Sequence, residues 1–434
     1  MRPTRLTLRL LLVWLVLAIM NAFWPSLSEV WKWASVLLAA ILWVDAFGVF
    51  KRPNLRISRE VNHNLPIYSW SEVTQKIHNR SGNRLSLLVR DYYPTDFLVR
   101  RKPESFDIAS GQSIKLRYQV KPMSRGDYLF SGTDVLRRST FGFWQRRCFY
   151  SVETPIRVYP NFAEITRYIL LATDNRLSQL GIKKRQRRGE GNEFHQLREY
   201  HLGDSLKQID WKASSRFRKL ISREYQDERD QQIIFMLDCG RRMRHADHEI
   251  THLDQALNAM LLLSYIAVQQ GDSIGFKSFA GNSRWMPPQK GPQTVNAILN
   301  KTYDLPSTLD SADYLSAAQE VLKLNRKRAL IVIISNTRDD DLSNIVSAIR
   351  LLGTRHLVVL ADLKEQSIGE VKKQQISDLD SALQFHANEQ YICQRQENHR
   401  QLRKLGVYCL DVTAKQLPVR LVNEYLAIKS SQRL

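Results

Sequence analysis

The sequence is poor in cysteine and lacks several common enzyme motifs. Its 434 residues include four cysteines, and no two of them form a C-x-x-C pair. This scarcity argues against a disulfide scaffold and a cysteine-based zinc module, and it favours a reducing compartment. A nucleophile elbow, a Walker phosphate loop and a G-x-G-x-x-G loop are also missing. The chain therefore carries no hallmark of serine hydrolases, P-loop NTPases or dinucleotide-binding enzymes.

Acidic residues are scarce relative to basic ones. Lys and Arg number 64 against 43 Asp and Glu, which gives a formal net charge of +21. Residues 1–231 hold 39 basic and 22 acidic side chains, so most of the excess lies there. Such an excess suits nucleic acid or an anionic membrane surface. The length predicts two or three domains, and a 43% hydrophobic content excludes wholesale disorder.

Two apolar runs near the N-terminus predict membrane helices at about 6–24 and 30–50. The first has Asn21 as its strongly polar residue, and the second is interrupted by Lys32 and Asp45. About 20 residues at 1.5 Å each cross a bilayer. The rival interpretation of the first run is a cleaved signal peptide. No A-x-A-like cleavage site is seen and a second run follows at once, so we predict a helical hairpin, with residues 1–52 as its domain.

Basic residues flank the hairpin on both outer sides and predict its orientation. The positive-inside rule places both termini and everything after residue 51 in the cytoplasm. Asp45 is an acid within a span, which marks either a functional site or an ion pair at the interface with Lys51, Arg2 or Arg5. We expect the ion pair. The flanking residues are Arg2, Arg5 and Arg9 before the first span, and Lys51, Arg52, Arg56 and Arg59 after the second.

Residues 55–160 change to a β pattern. Short alternating or apolar stretches at 85–93, 113–122, 127–138 and 154–160 are divided by turn residues. This spacing predicts an antiparallel, sandwich-like β domain. No cluster of His, Asp or Glu in it indicates chemistry, so we expect a structural or binding module.

A basic and aromatic segment follows, within a linker region at 161–230. Residues 183–188 read Lys-Lys-Arg-Gln-Arg-Arg, a run that suits solvent or anionic lipid better than nucleic acid, because no nucleic-acid-binding fold surrounds it. Residues 189–194 then read Gly-Glu-Gly-Asn-Glu-Phe, and residues 197–204 read Leu-Arg-Glu-Tyr-His-Leu-Gly-Asp. Ile-Asp-Trp-Lys-Ala begins at residue 209. We call residues 189–225 the signature segment.

The sequence of the signature segment resembles that of a family of bacterial membrane-anchored proteins, known as domain of unknown function fifty-eight. The family's hallmarks are G-x-G-x-E-F, L-R-E-Y-x-x-G-D and I-D-W-K-A-S-A-R, and Ser215 stands where Ala is usual. Residues 125–128, 141–143 and 158–160 also resemble the family, so the resemblance covers nearly the whole chain. The residues assigned to partner binding or to the family signature are Arg198, Glu199, Tyr200, Gly203, Asp204, Asp210, Trp211, Lys212, Arg216 and Arg223.

Charged residues of the signature segment suggest a local network. Asp204 is placed to cap a following helix. Arg198, Asp210, Lys212 and Arg216 are candidates for a buried or interfacial network that either fixes geometry or recognises a partner. The carboxylates Glu193 and Glu199 raise acid–base chemistry as an alternative. Without a nucleophile or a metal beside them, we expect no catalysis.

Residues 231–434 alternate apolar strands with helices. Strands are predicted at 232–237, 273–280, 329–335, 356–360 and 407–412, with helices at 256–268, 312–324, 341–352 and 417–430. Strands apolar throughout predict a mainly parallel sheet covered by helices on both faces, a doubly wound α/β domain. Ligand sites in such sheets lie at the carboxyl ends of the strands. The order resembles the von Willebrand factor A fold, as the family resemblance implies.

The resemblance also implies a metal site that this sequence has altered. The fold often carries Mg²⁺ on a D-x-S-x-S motif with a Thr and an Asp from later loops. Here Gly240 and Arg242 replace the two Ser after Asp238, Ala312 replaces the Thr, and Asn336 stands for the Asp. An Arg has no lone pair for a metal, and Arg242 is placed to pair with Asp238. We expect a degenerate site, no cofactor, and an ion-pairing or helix-capping role for Asp238.

The resemblance implies a non-enzymatic interaction protein. Relatives are typically encoded beside MoxR-type AAA+ ATPases, which implies an adaptor between such an ATPase and a client at the bacterial inner membrane. Residues 238–242 and 336–341 would form its contact face, with membrane lipids as a further partner. The alternatives are a metal-dependent enzyme acting on cell-envelope material, and a nucleic-acid-binding protein, whose affinity would depend strongly on salt. We expect no nucleic-acid partner.

Overall fold

The chain forms two compact units, residues 1–159 and residues 160–434. The structure is a computed structural model. It describes residues 1–23, 28–100, 105–161, 193–201, 206–226, 231–371 and 376–431.

The first unit begins with two apolar helices, α1 (Arg5–Phe23) and α2 (Ser28–Phe50). Trp14 of α1 stacks on Trp31 of α2 with ring centroids 5.5 Å apart, and its indole Nε1 donates to the Ser35 hydroxyl at 2.9 Å. Among the described residues, one stretch, Trp31–Phe50, is long and apolar enough to cross a membrane. Apolar side chains are exposed along both helices, as a lipid environment would allow.

Asp45 does not form the ion pair that we expected. Its carboxylate is buried and accepts hydrogen bonds from the Ser139 hydroxyl at 2.5 Å and from the backbone N–H groups of Phe141 and Phe143 at 3.1 and 3.2 Å. The expectation was wrong because sequence proximity points to nearby bases, whereas folding brings a distant loop to the carboxylate. Asp45 thus anchors the loop at residues 139–143 to α2.

Strands make up the rest of the first unit and form two sheets. One sheet has the order β1-β10-β9-β5-β7, with β3 also paired to β10, and the other has the order β2-β4-β8-β6. The strands are β1 (Arg2–Pro3), β2 (Leu55–Glu60), β3 (Asn64–Pro66), β4 (Ser71–Asn79), β5 (Leu85–Tyr92), β6 (Phe97–Arg100), β7 (Ser105–Ile108), β8 (Ser113–Pro122), β9 (Gly126–Arg138) and β10 (Trp144–Tyr159).

The two sheets face each other across a shared apolar core. Val73 and Val120 from one sheet pack in the same cluster as Phe130 and Ile156 from the other. Alternate residues of β4 are buried, as expected of a strand with one face on a core. The β-rich character predicted for this region is therefore present, as two sheets packed face to face.

The first element that the structure describes in the second unit is a small one built from the signature segment. Strands β11 (Glu193–Glu199) and β12 (Ile221–Gln226) pair antiparallel. Between them lie a 3₁₀ turn (Leu206–Gln208) and the short helix α3 (Trp211–Phe217).

An α/β domain follows. Its sheet has the order β17-β16-β13-β18-β19-β20, in which β17 alone is antiparallel. The strands are β13 (Gln232–Asp238), β16 (Ser273–Phe279), β17 (Trp285–Gln289), β18 (Leu330–Ser335), β19 (Leu357–Lys364) and β20 (Tyr408–Thr413), and a small hairpin is formed by β14 (Ala246–Asp247) and β15 (Ile250–Thr251). The helices are α4 (His252–Gln269), α5 (Gln293–Thr302), α6 (Tyr314–Leu324), α7 (Leu342–Gly353), α8 (Gln366–Val371), α9 (Leu379–Lys404) and α10 (Leu417–Ser430).

Helices cover the sheet and explain its apolar strands. Residues of α6 and α7 share one buried cluster with Ile234 and Met236 of β13 and with Ile331 of β18. Ile233 and Phe235 are also fully buried, and they point to the other face because side chains alternate along a strand. The predicted mainly parallel sheet is present, and the carboxyl ends of β13, β18 and β19 meet at one edge.

Candidate functional site

Asp210 organises the signature segment. Its side chain caps α3 by accepting the backbone N–H of Ala213 at 2.9 Å, and it also accepts Nε of Arg223 at 2.9 Å. Both hydrogen bonds lower the pKa of the Asp210 carboxyl, and the one from Ala213 has the larger effect. Asp204, which we expected to cap a helix, lies outside the described residues, as does Gly203. The described helix α3 begins after Asp210 instead.

The predicted charge network is smaller than expected. Glu199 pairs with Lys219 at 2.9 Å, and Nη1 of Arg198 donates to the carbonyl of Glu199 at 3.2 Å. The hydrogen bond from Lys219 lowers the pKa of Glu199. Lys212 and Arg216 lie exposed on α3, whose buried residue is Ser214. The backbone N–H of Tyr200 also donates to the carbonyl of Leu220 at 2.9 Å. Asp210 and Glu199 therefore form two separate ion pairs within the segment, with Arg223 and Lys219, rather than one network.

Large apolar side chains of the signature segment face solvent. Leu206 is 71% exposed, Trp211 68%, Phe217 58% and Leu220 49%. We call these four exposed residues, which lie within residues 206–220 of the chain, the apolar face. Burying a large side chain contributes roughly 1.5–3 kcal/mol, so leaving several exposed in one short segment is costly unless a partner covers them. Sequence reasoning singled out Trp211 but none of its three apolar companions.

A second candidate surface lies at the carboxyl edge of the α/β sheet. Asp238 ends β13 and is buried. Its carboxylate accepts the Ser335 hydroxyl at 2.6 Å and the backbone N–H of Gly240 at 2.8 Å. Burial raises the pKa of Asp238, although both hydrogen bonds oppose the rise. Asp238 therefore binds the ends of β13 and β18 together.

Arg242 does not take Asp238 as its partner. Its guanidinium forms an ion pair with Asp341 and lies 3.7 Å from the Asp340 carboxylate. The direct pairing with Asp238 that we expected is therefore wrong, since the 3₁₀ turn Arg241–Arg244 aims the side chain at the loop after β18. Arg242 ties together the two loops of the predicted contact face.

The altered positions after Asp238 do not fit a magnesium ligand set. A Cβ at Gly240 would lie 2.8 Å from the carbonyl oxygen of Asp310 and 3.0 Å from Asp238 Oδ1, so a Ser would not fit without a shift. Gly240, Arg242 and Ala312 line a cavity of about 10 Å³ beside Asp238, space for a single water. Glycine, arginine and alanine side chains supply no oxygen ligand for a hard cation.

Asn336 turns away from Asp238. Its Nδ2 donates to Oε1 of Glu365 at 3.0 Å, and Arg338 also contacts that carboxylate. Although desolvation acts to raise it, the pKa of Glu365 is lowered, because the hydrogen bond from Asn336 and the charge of Arg338 stabilise the carboxylate. Asn336 thus belongs to a different group of side chains from the one the sequence comparison implied.

Sequence reasoning missed a further group of side chains, which lies in and beside the β14–β15 hairpin. His245, Asp247 and His252 bring their donor atoms within 4.8 Å of one another. Residues 248–252 read His-Glu-Ile-Thr-His and match the H-E-x-x-H zinc motif, which our sequence reasoning wrongly took to be absent. His248 lies in the turn of the β14–β15 hairpin rather than on a helix, so the two histidines of that spelling do not share a helical face. Three His, one Asp and one Glu within eight residues were the available signal.

Comparisons with known proteins support the family resemblance. Residues 196–406 match the family described as "Protein of unknown function DUF58". The uncharacterized protein YeaD of Bacillus subtilis (strain 168) is 21% identical over 271 residues, covering 60% of this chain and 62% of YeaD. This chain therefore spans less than two thirds of that relative.

Likenesses to solved structures are partial. An aerotolerance-related membrane protein from Bacteroides fragilis is 14% identical, covers 45% of this chain and 98% of its own, and has a TM-score of 0.29. The CARDB domain of a Pyrococcus furiosus protein is 14% identical, covers 25% and 91%, and has a TM-score of 0.19. TM-scores of this size do not establish a common fold. The two sequence matches support the assignment of this chain to the DUF58 family, which the signature segment predicts.

Proposed function

We propose that this chain is a non-enzymatic, membrane-anchored interaction protein that works with a MoxR-type AAA+ ATPase in the assembly or maturation of a client at the bacterial inner membrane. The proposal rests on the apolar face, in which Trp211 is 68% exposed. This face belongs to the signature segment, whose sequence resembles the family. Exposed Trp side chains rimmed by charge are frequent anchors of protein interfaces.

The charges around the apolar face favour an acidic partner surface. Lys212, Arg216 and Arg218 are exposed beside it, while Asp210 is engaged in capping α3. A basic rim steers an acidic partner and fixes its register, while the apolar centre supplies most of the affinity. We propose that the ATPase binds here.

Membrane anchoring would raise the local concentration of the protein near its partners. We propose that α1 and α2 both span the bilayer as a hairpin, with both termini and both soluble regions in the cytoplasm, as the basic flanks predict. Those flanks would also attract anionic lipid headgroups.

The carboxyl edge of the α/β domain is proposed as a second contact. We infer a von Willebrand factor A-like domain in which the Arg242–Asp341 ion pair replaces a metal ion and holds the two loops in place. Asp340 projects from this edge with its side chain 85% exposed. No cofactor is needed at Asp238 in this proposal, and nucleic acid is not among the proposed partners.

The experiment is a pull-down of the tagged chain from native membranes after cross-linking, with and without ATP and Mg²⁺. Trp211→Ala is compared with Leu324→Ala, a matched variant at an exposed leucine at the end of α6. We expect an AAA+ ATPase in nucleotide-dependent yield from the wild type and from Leu324→Ala, and at least about 10-fold less from Trp211→Ala, since a central Trp commonly supplies 2 kcal/mol or more. Clean recovery of the chain without any ATPase would overturn the proposal.

The enzyme alternative is tested on the same preparation. Hydrolysis of purified cell-envelope material that depends on a divalent ion and is lost in Asp238→Ala would favour it over the interaction role.

A further inference from the structure

Two histidines and one aspartate converge beside the carboxyl edge of the α/β sheet. Asp247 lies in the β14–β15 hairpin, His252 is the first residue of α4, and His245 precedes the hairpin. His252 is fully buried, whereas the His245 side chain is 41% exposed and leaves a route from solvent. None of the three takes part in the apolar face or in the Arg242–Asp341 ion pair.

The distances within this group are compatible with ligands around one ion. Nε2 of His252 forms a long hydrogen bond with Asp247 Oδ2 at 3.3 Å, and Nε2 of His245 lies 3.5 Å from Asp247 Oδ1. A charge-assisted hydrogen bond would be about 2.7–2.9 Å. Ligand atoms about 2.1 Å from a tetrahedral ion are about 3.4 Å from one another. Both imidazoles present the same nitrogen to one carboxylate, as ligands of a shared ion do.

Among the described residues, His252 and the hydrogen-bonded pair Asn336 and Glu365 each have a buried polar atom without a partner. Oε2 of Glu365, Nδ1 of His252 and Oδ1 of Asn336 are buried without a hydrogen-bond partner in the part of the chain that the structure describes. Glu365 is 7% exposed and directly precedes Gln366, whose backbone N–H donates to Asp247 Oδ1 at 3.1 Å. Buried polar atoms are nearly always satisfied, so several orphans in one place indicate a missing water or ion.

Hydrogen bonding also orients two of the carboxylates. The backbone N–H of Gln366 donates to Asp247 Oδ1 at 3.1 Å, and Asn336 holds Oε1 of Glu365, which leaves Oε2 for another contact. Such outer contacts fix the direction of metal-ligating side chains.

We propose that His245, Asp247 and His252 bind a divalent first-row transition ion of the Zn²⁺ class. Imidazole nitrogen and carboxylate oxygen are ligands that such ions accept, and two His with one carboxylate is a recurrent set. The ion would join the β14–β15 hairpin to the start of α4. It is a site separate from the altered one at Asp238.

The test measures zinc binding by the full-length chain in detergent after treatment with a chelator. Metal content is determined at buffered free Zn²⁺, and Co²⁺ serves as a spectroscopic probe because tetrahedral Co²⁺ has intense visible bands. The variants are His245→Ala and Asp247→Asn. The matched control is His248→Asn, at an exposed histidine of the same hairpin whose φ of +61° an Asn tolerates.

We expect one Zn²⁺ per chain for the wild type and for His248→Asn. His245→Ala and Asp247→Asn should weaken binding by at least about 100-fold, since losing even an outer contact of a metal site costs 10–100-fold. Because His245 is exposed, His245→Ala should keep the wild-type circular dichroism. Zinc binding by the wild type no tighter than by a folded His245→Ala would overturn the proposal, and this result would leave the ATPase interaction untouched.

Discussion

Arg242 pairs with Asp341 and thereby connects the loop after β13 to the loop after β18. Both side chains are largely buried, at 18% and 13% exposure. An ion pair thus joins two loops at the carboxyl edge of the sheet. The consequences of this ion pair can be measured.

Replacing Arg242 with Ala should destabilise the second unit. It leaves the Asp341 carboxylate largely buried without its ion-pair partner, which costs about 2 kcal/mol. The cost is less than for a fully buried pair because some solvent reaches the carboxylate and the backbone N–H of Arg338 still donates to it at 3.1 Å. Thermal unfolding followed by circular dichroism checks this. Arg244→Ala, an exposed arginine of the same 3₁₀ turn, should leave the midpoint unchanged; equal effects of the two variants would contradict the prediction.

Asp238 should give the second unit a stability that falls as pH rises. Burial raises the pKa of this carboxyl above its unfolded value, so the folded state holds its proton more tightly. The contribution is therefore fully present below the unfolded pKa and is lost as pH rises through the folded pKa. Asp238→Asn removes this titration. The melting temperature of Asp238→Asn minus that of wild type should grow from pH 4 toward pH 7, and a constant difference would argue against it.

The Asp45 carboxylate should control the order of the loop at residues 139–143. Asp45→Ala removes the acceptor for the Ser139 hydroxyl and for two backbone N–H groups. We expect faster hydrogen exchange at Phe141 and Phe143 in nanodiscs. Asp107→Ala, at a half-exposed acid of β7, serves as the comparison. Unchanged exchange in Asp45→Ala would show that other contacts hold the loop.

The capping of α3 by Asp210 should weaken in acid. Its pKa is lowered in the folded state, so the stabilisation is present above the unfolded pKa of about 3.9 and is lost as pH falls through the folded value. Amide exchange at Ala213 should therefore accelerate relative to a mid-helix amide such as that of Leu261 below about pH 4. Asp210→Ala should show the fast exchange already at neutral pH. Protection of Ala213 that does not respond to acid would refute a capping role.

Strong local patterns made many elements predictable. The strand predicted at 113–122 coincides with β8 (Ser113–Pro122), and that at 329–335 with β18 to within one residue, because alternation or a continuous apolar run specifies a strand locally. Helix α9 (Leu379–Lys404) was missed because it has no apolar stripe. Buried charges hold it instead: Arg395 and His399 contact the Asp362 carboxylate at 2.8 and 2.7 Å.

The sequence alone determined the apolar helices, the β-rich middle, the parallel sheet and the resemblance to the family, since each depends on residues close in the chain. Only the tertiary structure determined which side chains pair with one another. Arg242 forms an ion pair with Asp341, Asn336 donates to Glu365, and Asp45 accepts from the loop after β9. These partners are separated by 29 to 99 residues in the chain. Charged and polar side chains pair according to which loops folding brings within about 3 Å, and no local pattern encodes that distance.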